Sequence, residues 1–539
     1  MEEFDYVIAG AGSAGCVLAY RLAEKGHSVC VLEAGPPDTN PYIRIPAGFM
    51  KTYTNPSLIW QFTHTGTPNT YDRDFPFIQG KVLGGTSALN GTIYSRGQAW
   101  DYDNWAALGA AGWDYRSVLP YFRRNERFMG GGDDAYRGRD GLMPVDTIRR
   151  RSAVGRSFMD AAAETGVARI DDYNGRTQSG TCWAQATVHK GKRWSAAHAY
   201  LHPARKRFGV KVETHALVRR IVIESGRARG FEYSTGAGGP VRQVRARACT
   251  IVSTGTINTP RMLQLSGIGP GERLRQLGIP VAVDLPGVGE NLNDHFAARV
   301  VTRVKPGVDT VNTRGRGLAL AGEILKYFLG SPDSILGMSV VTSYAFAAVD
   351  PASPVNDYTL TFAPVSFKEG MTRVLDDVPG VTFGAWLMRP ESRGYVRLRS
   401  TDWNEPPLVQ PNYLSTDRDR RTLVAALKHV DRIIRTRAMA PIVAEQIFPP
   451  RACTTDDEWL EFIRRFGMTT YHVVGTSRMG AQDDPLAVVD PRLRVRGVDG
   501  LRVIDASVMP MVPSGNSNAA TYMIAEKGAE MLHADRALH

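Results

Sequence analysis

A chain of 539 residues is more than one hydrophobic core usually holds, so two intimately packed domains are expected. Lys plus Arg (65) exceed Asp plus Glu (54), but the excess is spread out, and its densest pieces, Arg149-Arg150-Arg151 and Arg205-Lys206-Arg207, lack interleaved aromatics; they read as solvated surface, not a nucleic-acid site. No apolar run is long enough to span a bilayer, the N-terminus enters a strand without a basic segment or cleavage site, and the scattered Cys16, Cys30, Cys182, Cys249 and Cys453 lack metal-type spacing, so a cytoplasmic protein with reduced thiols, no transmembrane segment and no metal is expected.

Tyr6-Val7-Ile8-Ala9 is a short apolar run, Gly10-Ala11-Gly12-Ser13-Ala14-Gly15 follows at once, and a helical pattern leads into a second apolar run ending at Glu33. Strand, glycine turn, helix and strand make a dinucleotide fingerprint. Gly10 permits the tight turn, Gly12 lets backbone approach a pyrophosphate, Gly15 allows close helix packing, and the helix N-terminus offers N–H groups to phosphate. Glu33, about 20 residues on, can accept from a ribose hydroxyl. Ala14, Val17, Leu18 and Leu22 recur at helical spacing and Gly26 stands at the C-terminal cap. An ADP-containing dinucleotide is the expected ligand.

From Ala34-Gly35-Pro36-Pro37 to Asp74 the chain is rich in Pro, Thr and Asn and is predicted to be mostly loop. The stretch from Gly80 to Gly97 then pairs glycines, which expose backbone, with the short hydrogen-bonding groups of Thr86, Ser87 and Asn90. Gly130-Gly131-Gly132-Asp133-Asp134 is predicted to be a mobile surface loop. Leu217 to Ile223 and Thr250 to Ser253 carry strand signals, after which Thr259 is expected to cap a helix with Pro260 in its first position and Gly267 at its end.

Beyond about residue 300 the period becomes two, in Tyr358, Leu360 and Phe362, in Val381, Phe383, Ala385 and Leu387, and in Val396 and Leu398. Three such segments predict an antiparallel sheet with one buried face. Two helices follow, one with Leu423, Leu427, Val430 and Ile434 on a face, the other with Trp459, Phe462, Ile463 and Phe466 behind a Thr455-x-x-Glu458 capping box. Arg502 to Asp505 is a last strand, and Asn516-Ser517-Asn518 precedes a closing helix, buried through Ala520, Met523 and Ile524, with Asn518 as its cap.

These stretches together resemble the glucose-methanol-choline (GMC) oxidoreductases, a flavoprotein family, over nearly the whole chain. Besides the fingerprint and the Gly80 stretch, the likeness rests on Gly255-Thr256-Ile257-Asn258-Thr259-Pro260, Asn293-Asp294-His295, Tyr471-His472, Gly475-Thr476-Ser477-Arg478-Met479-Gly480, Asp505-Ala506-Ser507 and Gly515-Asn516-Ser517-Asn518. The resemblance implies an α/β fold: a Rossmann-like FAD-binding domain (1–300), a second α+β substrate domain built on an antiparallel sheet (301–480), and a return to the first domain (481–539). It places FAD against Gly10, Gly12, Ser13, Gly15, Glu33, Ala34, Val82, Gly85, Asn90, Gly91, Val218, Asp505, Ala506 and Asn516, with the closing helix pointing its N-terminus at the ring.

The family's activity is alcohol oxidation, with His472 matching its catalytic histidine and Asn516 its partner. An imidazole can take the hydroxyl proton, while an amide can only donate to the alkoxide oxygen. Leu89 stands where covalent members carry histidine, which implies noncovalent flavin. Ser477 in place of a cysteine, and the lack of an assignable carboxylate, count against choline. The nearest likeness is to bacterial dehydrogenases of the L-sorbose and aliphatic-alcohol type, with pyridoxine and furfuryl-alcohol oxidases similar. The expected partners are a primary alcohol or polyol and an electron acceptor, either a quinone or other carrier or O2. A flavin-containing lyase and a non-catalytic binding protein are the alternatives. Trp60, Phe362, Trp386 and Tyr471 are the aromatic candidates for the substrate pocket.

Overall fold

In the computed structural model, which describes residues 2–236, 238–368 and 374–537, the first strand (Glu2–Ala9) lies inside a seven-stranded sheet. The strand order is Lys211–Glu213, Val29–Leu32, Glu2–Ala9, Val241–Val252, Arg227–Thr235, Ala216–Glu224, and Leu501–Val503 pairs with Val241–Val252 as well. The pairings around the first strand are parallel, and Ala9 stands opposite both Leu32 and Val252, so these strands end together. Ligand cavities open at such a shared carboxyl end.

Sterics explain the glycines there. A Cβ on Gly15 would lie 1.9 Å from the Gly10 carbonyl oxygen, and one on Gly10, at φ +96°, would lie 2.4 Å from that of Ser253. The first helix (Ser13–Glu24) therefore packs directly on its strand, and on its other side against the closing helix (Ser517–Ala537).

The second layer is an antiparallel sheet ordered Val443–Phe448, Phe296–Val304, Gly380–Leu387, Tyr358–Ala363, Ser343–Ala347, Gly180–Trp183. Alternation assigns its faces. Leu360, Phe362, Val381, Phe383 and Ala385 pack with the helices Ala153–Glu164 and Asp417–Ile434. Thr361, Ala363, Thr382, Gly384 and Trp386 face a cavity shared with the first sheet.

Several expectations need correction. Both faces of Gly380–Leu387 are buried, because the face turned from the helices meets the cavity and not solvent. The third alternating segment, Gly394–Arg397, belongs to a separate five-stranded sheet with Glu290–Leu292, Leu408–Gln410, Ile59–His64 and Phe75–Gly80. Ile59–His64 is thus a strand within the region read as loop. Gly180–Trp183 and the start of Phe296–Val304 join the second sheet, so its strands come from both sides of residue 300.

The helix expected to start at Thr259 starts a turn earlier and spans Gly255–Leu265, with Pro260 inside it. Pro260 has no N–H to give the Thr256 carbonyl, and the Thr476 hydroxyl fills that place at 2.5 Å. The glycine run at 130–132 is held by Arg139, whose Nη1 donates to the Phe128 and Gly130 carbonyls. The Thr455–Glu458 capping box forms as expected. Among the described residues, no helix is long and apolar enough to cross a membrane.

Candidate active site

Two glycine turns face each other across the end of the first strand. Gly84 N–H donates to the Ala11 carbonyl at 2.8 Å, and a Cβ on Gly85 would lie 2.7 Å from the Gly12 Cα. Gly12 and Gly91 behave differently: a Cβ on either meets no atom of the described residues within 4 Å, and both line the cavity. A flat or phosphate-bearing ligand accounts for that bare backbone better than packing does. The cavity runs from Glu33, Ala34 and Val218, past Asp505 and Ala506, to His472 and Trp386.

Glu33 is buried, and its carboxylate accepts from Ala11 N–H at 2.9 Å and Gly35 N–H at 2.8 Å. Burial nevertheless pushes its pKa up to about 7. Asp505 accepts from Gly255 N–H (2.8 Å), Thr259 Oγ1 (2.7 Å), Ser507 N–H (2.8 Å) and Ser507 Oγ (2.6 Å). Its charge sits at the N-terminus of the Gly255 helix, where the dipole favours it. Ser13 Oγ donates to Asn518 Oδ1 at 2.6 Å and ties two helix N-termini together at the cavity. Asn518 is thus the second residue of the closing helix and not its cap.

Of the residues expected at FAD, Val82 and Gly15 do not line the cavity. Val82 packs with Leu89 in a small apolar cluster, and Gly15 serves helix packing. Among the pocket aromatics, Trp60, Trp386 and Tyr471 line the cavity. Phe362 does not: it stacks on Phe158 at 5.1 Å, on the helix side of its strand. Ser477 is buried and does not line the cavity.

The histidine is held by a chain of groups from three segments. His472 N–H donates to Asp294 Oδ1 at 2.8 Å, and Asp294 Oδ2 accepts from the hydroxyls of Thr469 (2.6 Å) and Tyr413. Burial pushes Asp294 up to about 6. Tyr471 adopts φ +64°, a left-handed conformation that costs a non-glycine residue about 1 kcal/mol. Thr469 Oγ1, accepting from Tyr471 N–H at 2.8 Å, and the Asp294 contact fix that turn.

The hydrogen-bond network also assigns the tautomers. His295 Nε2 lies 3.0 Å from the Met388 carbonyl, which can only accept, so this nitrogen carries the proton. Burial holds the His295 pKa well below its usual value, leaving its Nδ1 bare. That Nδ1 is 3.0 Å from His472 Nδ1, and Thr470 Oγ1 is 2.9 Å from the same atom. The Thr470 hydroxyl donates to the His295 carbonyl at 3.1 Å, so it too offers His472 a lone pair. The His472 proton therefore sits on Nδ1, and Nε2 faces the cavity unprotonated, 2.8 Å from Asn516 Nδ2. Enclosure pushes His472 down to about 3, which keeps it neutral. Asn516 Oδ1 and Asn258 Oδ1, both from cavity-lining residues, are buried without a partner among the described residues.

A strand-end glycine cradle, a buried carboxylate beside it and a neutral histidine with a bare nitrogen fit one known arrangement. The GMC oxidoreductase family model matches residues 4–297 and, in its C-terminal part, 390–525. The chain belongs to the GMC oxidoreductases. The family's curated relatives include the oxygen-dependent choline dehydrogenases of Rhizobium etli (strain CIAT 652), 39% identical, and of Brucella suis biovar 1 (strain 1330), 37% identical. Each alignment covers 98% of this chain and 95% of the relative. The solved pyridoxine 4-oxidase from Mesorbium loti superposes with a TM-score of 0.88 at 28% identity, covering 98% of this chain and 99% of that one. A formate oxidase of Aspergillus oryzae shares the fold, with a TM-score of 0.92 at 24% identity over 100% and 99% of the two chains. This chain is accordingly an FAD-dependent oxidoreductase acting on CH–OH donors.

The sequence did not single out His295, Thr470 or Asp294 for a role. Asn293-Asp294-His295 was visible as a motif, and two titratable residues side by side in it were the available signal. Among the described residues, one group could hold a metal ion, Asp38, His198 and His202. It is outside the cavity lining, and the contacts of Asp38 with His198 (3.3 Å) and His202 (3.0 Å) tie the loop after Val29–Leu32 to the helix at 202–208.

Proposed function

We propose that this enzyme oxidises an uncharged primary alcohol to the aldehyde, with His472 Nε2 as the base. The observation that carries the reading is the bare Nε2 in the cavity, with His295 and Thr470 both able to accept from the opposite Nδ1–H. A hydroxyl beside Nε2 gives up its proton, and the resulting imidazolium is steadied by those two acceptors. Asn516 Nδ2, freed from Nε2, donates to the alkoxide oxygen and orients the carbinol carbon. FAD, when bound, supplies the hydride acceptor.

Gly10, Gly12, Ser13, Glu33, Ala34, Gly85, Asn90, Gly91, Val218, Asp505, Ala506 and Asn516 would hold FAD along the cavity. Leu89 carries no nucleophile and packs in the apolar core, which supports noncovalent attachment. Tyr53, Trp60, Trp386 and Tyr471 give the substrate end aromatic walls. The acidic residues among the described lining are Glu33 and Asp505, both among the residues that would hold the dinucleotide. This charge pattern favours an uncharged alcohol over a cation. Choline is the second reading, supported by the relatives' names and by the aromatic walls, which can attract a quaternary ammonium.

The test is anaerobic mixing of the holoenzyme with aliphatic, benzylic and furfuryl alcohols, polyols, pyridoxine and choline. Bleaching of the flavin band by an uncharged alcohol is expected, and subsequent admission of air distinguishes O2 from a carrier as acceptor. Bleaching by choline alone would replace the first reading with the second, and bleaching by none would sink both. Acid precipitation should leave the flavin in the supernatant.

A further inference from the structure

One helix of this molecule is inside out. In Gly317–Phe328 the residue that faces the protein most completely is Glu323, 2% exposed, whereas Leu318 (93%), Leu325 (60%), Phe328 (77%) and the following Leu329 (77%) face outward. Spacing of 3 to 4 residues places Leu318, Leu325, Phe328 and Leu329 on one stripe, with Leu320, Glu323 and Tyr327 opposite. The inward side is fastened by polar bonds. Glu323 takes Arg314 Nη1 and Lys326 Nζ at 3.0 Å each and Ile335 N–H at 2.9 Å, and its carbonyl accepts from Ser334 Oγ at 2.9 Å. This orientation is therefore fixed, and an apolar face of this size on an otherwise polar surface marks an interaction site.

Charge decides the partner. The helix has no exposed acid of its own; its ends carry Arg316 and Lys326, both exposed. The hairpin beside it bears Lys190 and Lys192, also exposed; a Cβ on its Gly191 would lie 4.0 Å from the Tyr327 ring, and one on Gly337 would lie 3.2 Å from the Gly191 Cα. Arg150, from the basic triplet, donates to the Asp333 carbonyl just past the helix. Among the described residues, Asp309 pairs with Arg150 and Arg314 and Asp377 with Arg316 and Lys368, while Asp333 is exposed; each paired acid meets two cations, so with Lys190 and Lys192 the rim keeps a basic excess. A second copy of this chain docking by a two-fold axis would set this basic rim against itself. An anionic surface would not.

We propose that this helix lies in the headgroup region of an anionic bilayer, with the leucine and phenylalanine stripe in the acyl boundary and the basic rim on the lipid phosphates. At 12 residues it is too short to span. The segment that leaves it supplies Ser339, Val340 and Val341 to the cavity wall, so docking would set the catalytic cavity close to lipid-soluble alcohols or electron acceptors.

The test uses the FAD-loaded full chain with vesicles of phosphatidylcholine alone or mixed with phosphatidylglycerol, sedimented at low and high salt. Preferential retention on the mixed vesicles is expected. The double variant Leu325→Ser/Phe328→Ser should weaken retention roughly tenfold or more, from lost apolar burial, while turnover of a water-soluble alcohol is unchanged. Lys190→Glu/Lys192→Glu should abolish the anionic preference. Retention on neither vesicle, or retention insensitive to the apolar double variant, overturns the proposal. So does a dimer by light scattering that the double variant converts to monomer, which would assign the face to a second copy.

Discussion

His295→Phe tests the proton relay most directly. The phenyl ring keeps the packing against Trp386, whose ring centroid is 4.4 Å from that of His295, but removes the acceptor 3.0 Å from His472 Nδ1. Thr470 Oγ1 at 2.9 Å remains, so the imidazolium formed in the reaction loses one of its two acceptors. A hydrogen bond to a charged group contributes about 1.5–3 kcal/mol, and with Thr470 in place about 2 kcal/mol is expected. That corresponds to a roughly 30-fold slower flavin reduction in anaerobic stopped-flow, with FAD content unchanged. A structural role alone would leave the acid limb of the pH profile where it is. Loss of an acceptor from the cation should instead move that limb to lower pH while the plateau drops. Adding Thr470→Val should cost more than the two single effects combined, because each single variant leaves one acceptor. A fully FAD-loaded His295→Phe enzyme that reduces at the wild-type rate would refute the relay.

Further outcomes follow from the same geometry. His472 is pushed down to about 3 by enclosure and acts as a base only when neutral, so kcat/KM should fall on acidification only well below the ordinary histidine range; an acid limb near 6.5 would contradict this. His64 and His429 are each held down at about 4 by burial, so between there and 6.5 the unfolded chain binds more protons than the folded one. Stability should be full above 6.5 and decline as pH falls, by up to about 3 kcal/mol per histidine, and a Tm unchanged between neutral pH and pH 5 would count against it. Gly12→Val should fold with near-normal apoprotein Tm, since its Cβ meets no atom of the described residues, yet purify without flavin; Gly10→Val should lose Tm outright through its contact with Ser253. His472→Gln should lose alcohol-driven bleaching while retaining FAD.

The fingerprint was legible because its parts are local. Gly10, Gly12 and Gly15 are read from one strand, one turn and one helix, and the packing distances bear out two of the three roles. The alternation beyond residue 300 correctly grouped Leu360 with Phe362, but with both faces buried it could not say which one borders the cavity. Phe362 faces the helices, and Thr361 and Ala363 stand at the cavity in its place. Pro260 misled because a first-turn proline is the common case, and the rescue of the Thr256 carbonyl comes from Thr476, far along the chain. The His295 relay was hidden for a similar reason. Its meaning depends on the Met388 carbonyl, which fixes a tautomer across segments that only the folded sheet brings together.

The bond between Ser13 and Asn518 joins residues 505 apart in sequence. The Leu501–Val503 strand and the Asp505 carboxylate likewise complete a cradle begun at residue 10. A nascent chain on the ribosome therefore has no finished cofactor cavity until the closing helix emerges, and assembly waits on contacts of very high sequence separation. Cofactor loading becomes a checkpoint on synthesis of the closing helix: a chain truncated before it would build much of both sheets and still be unable to keep its flavin.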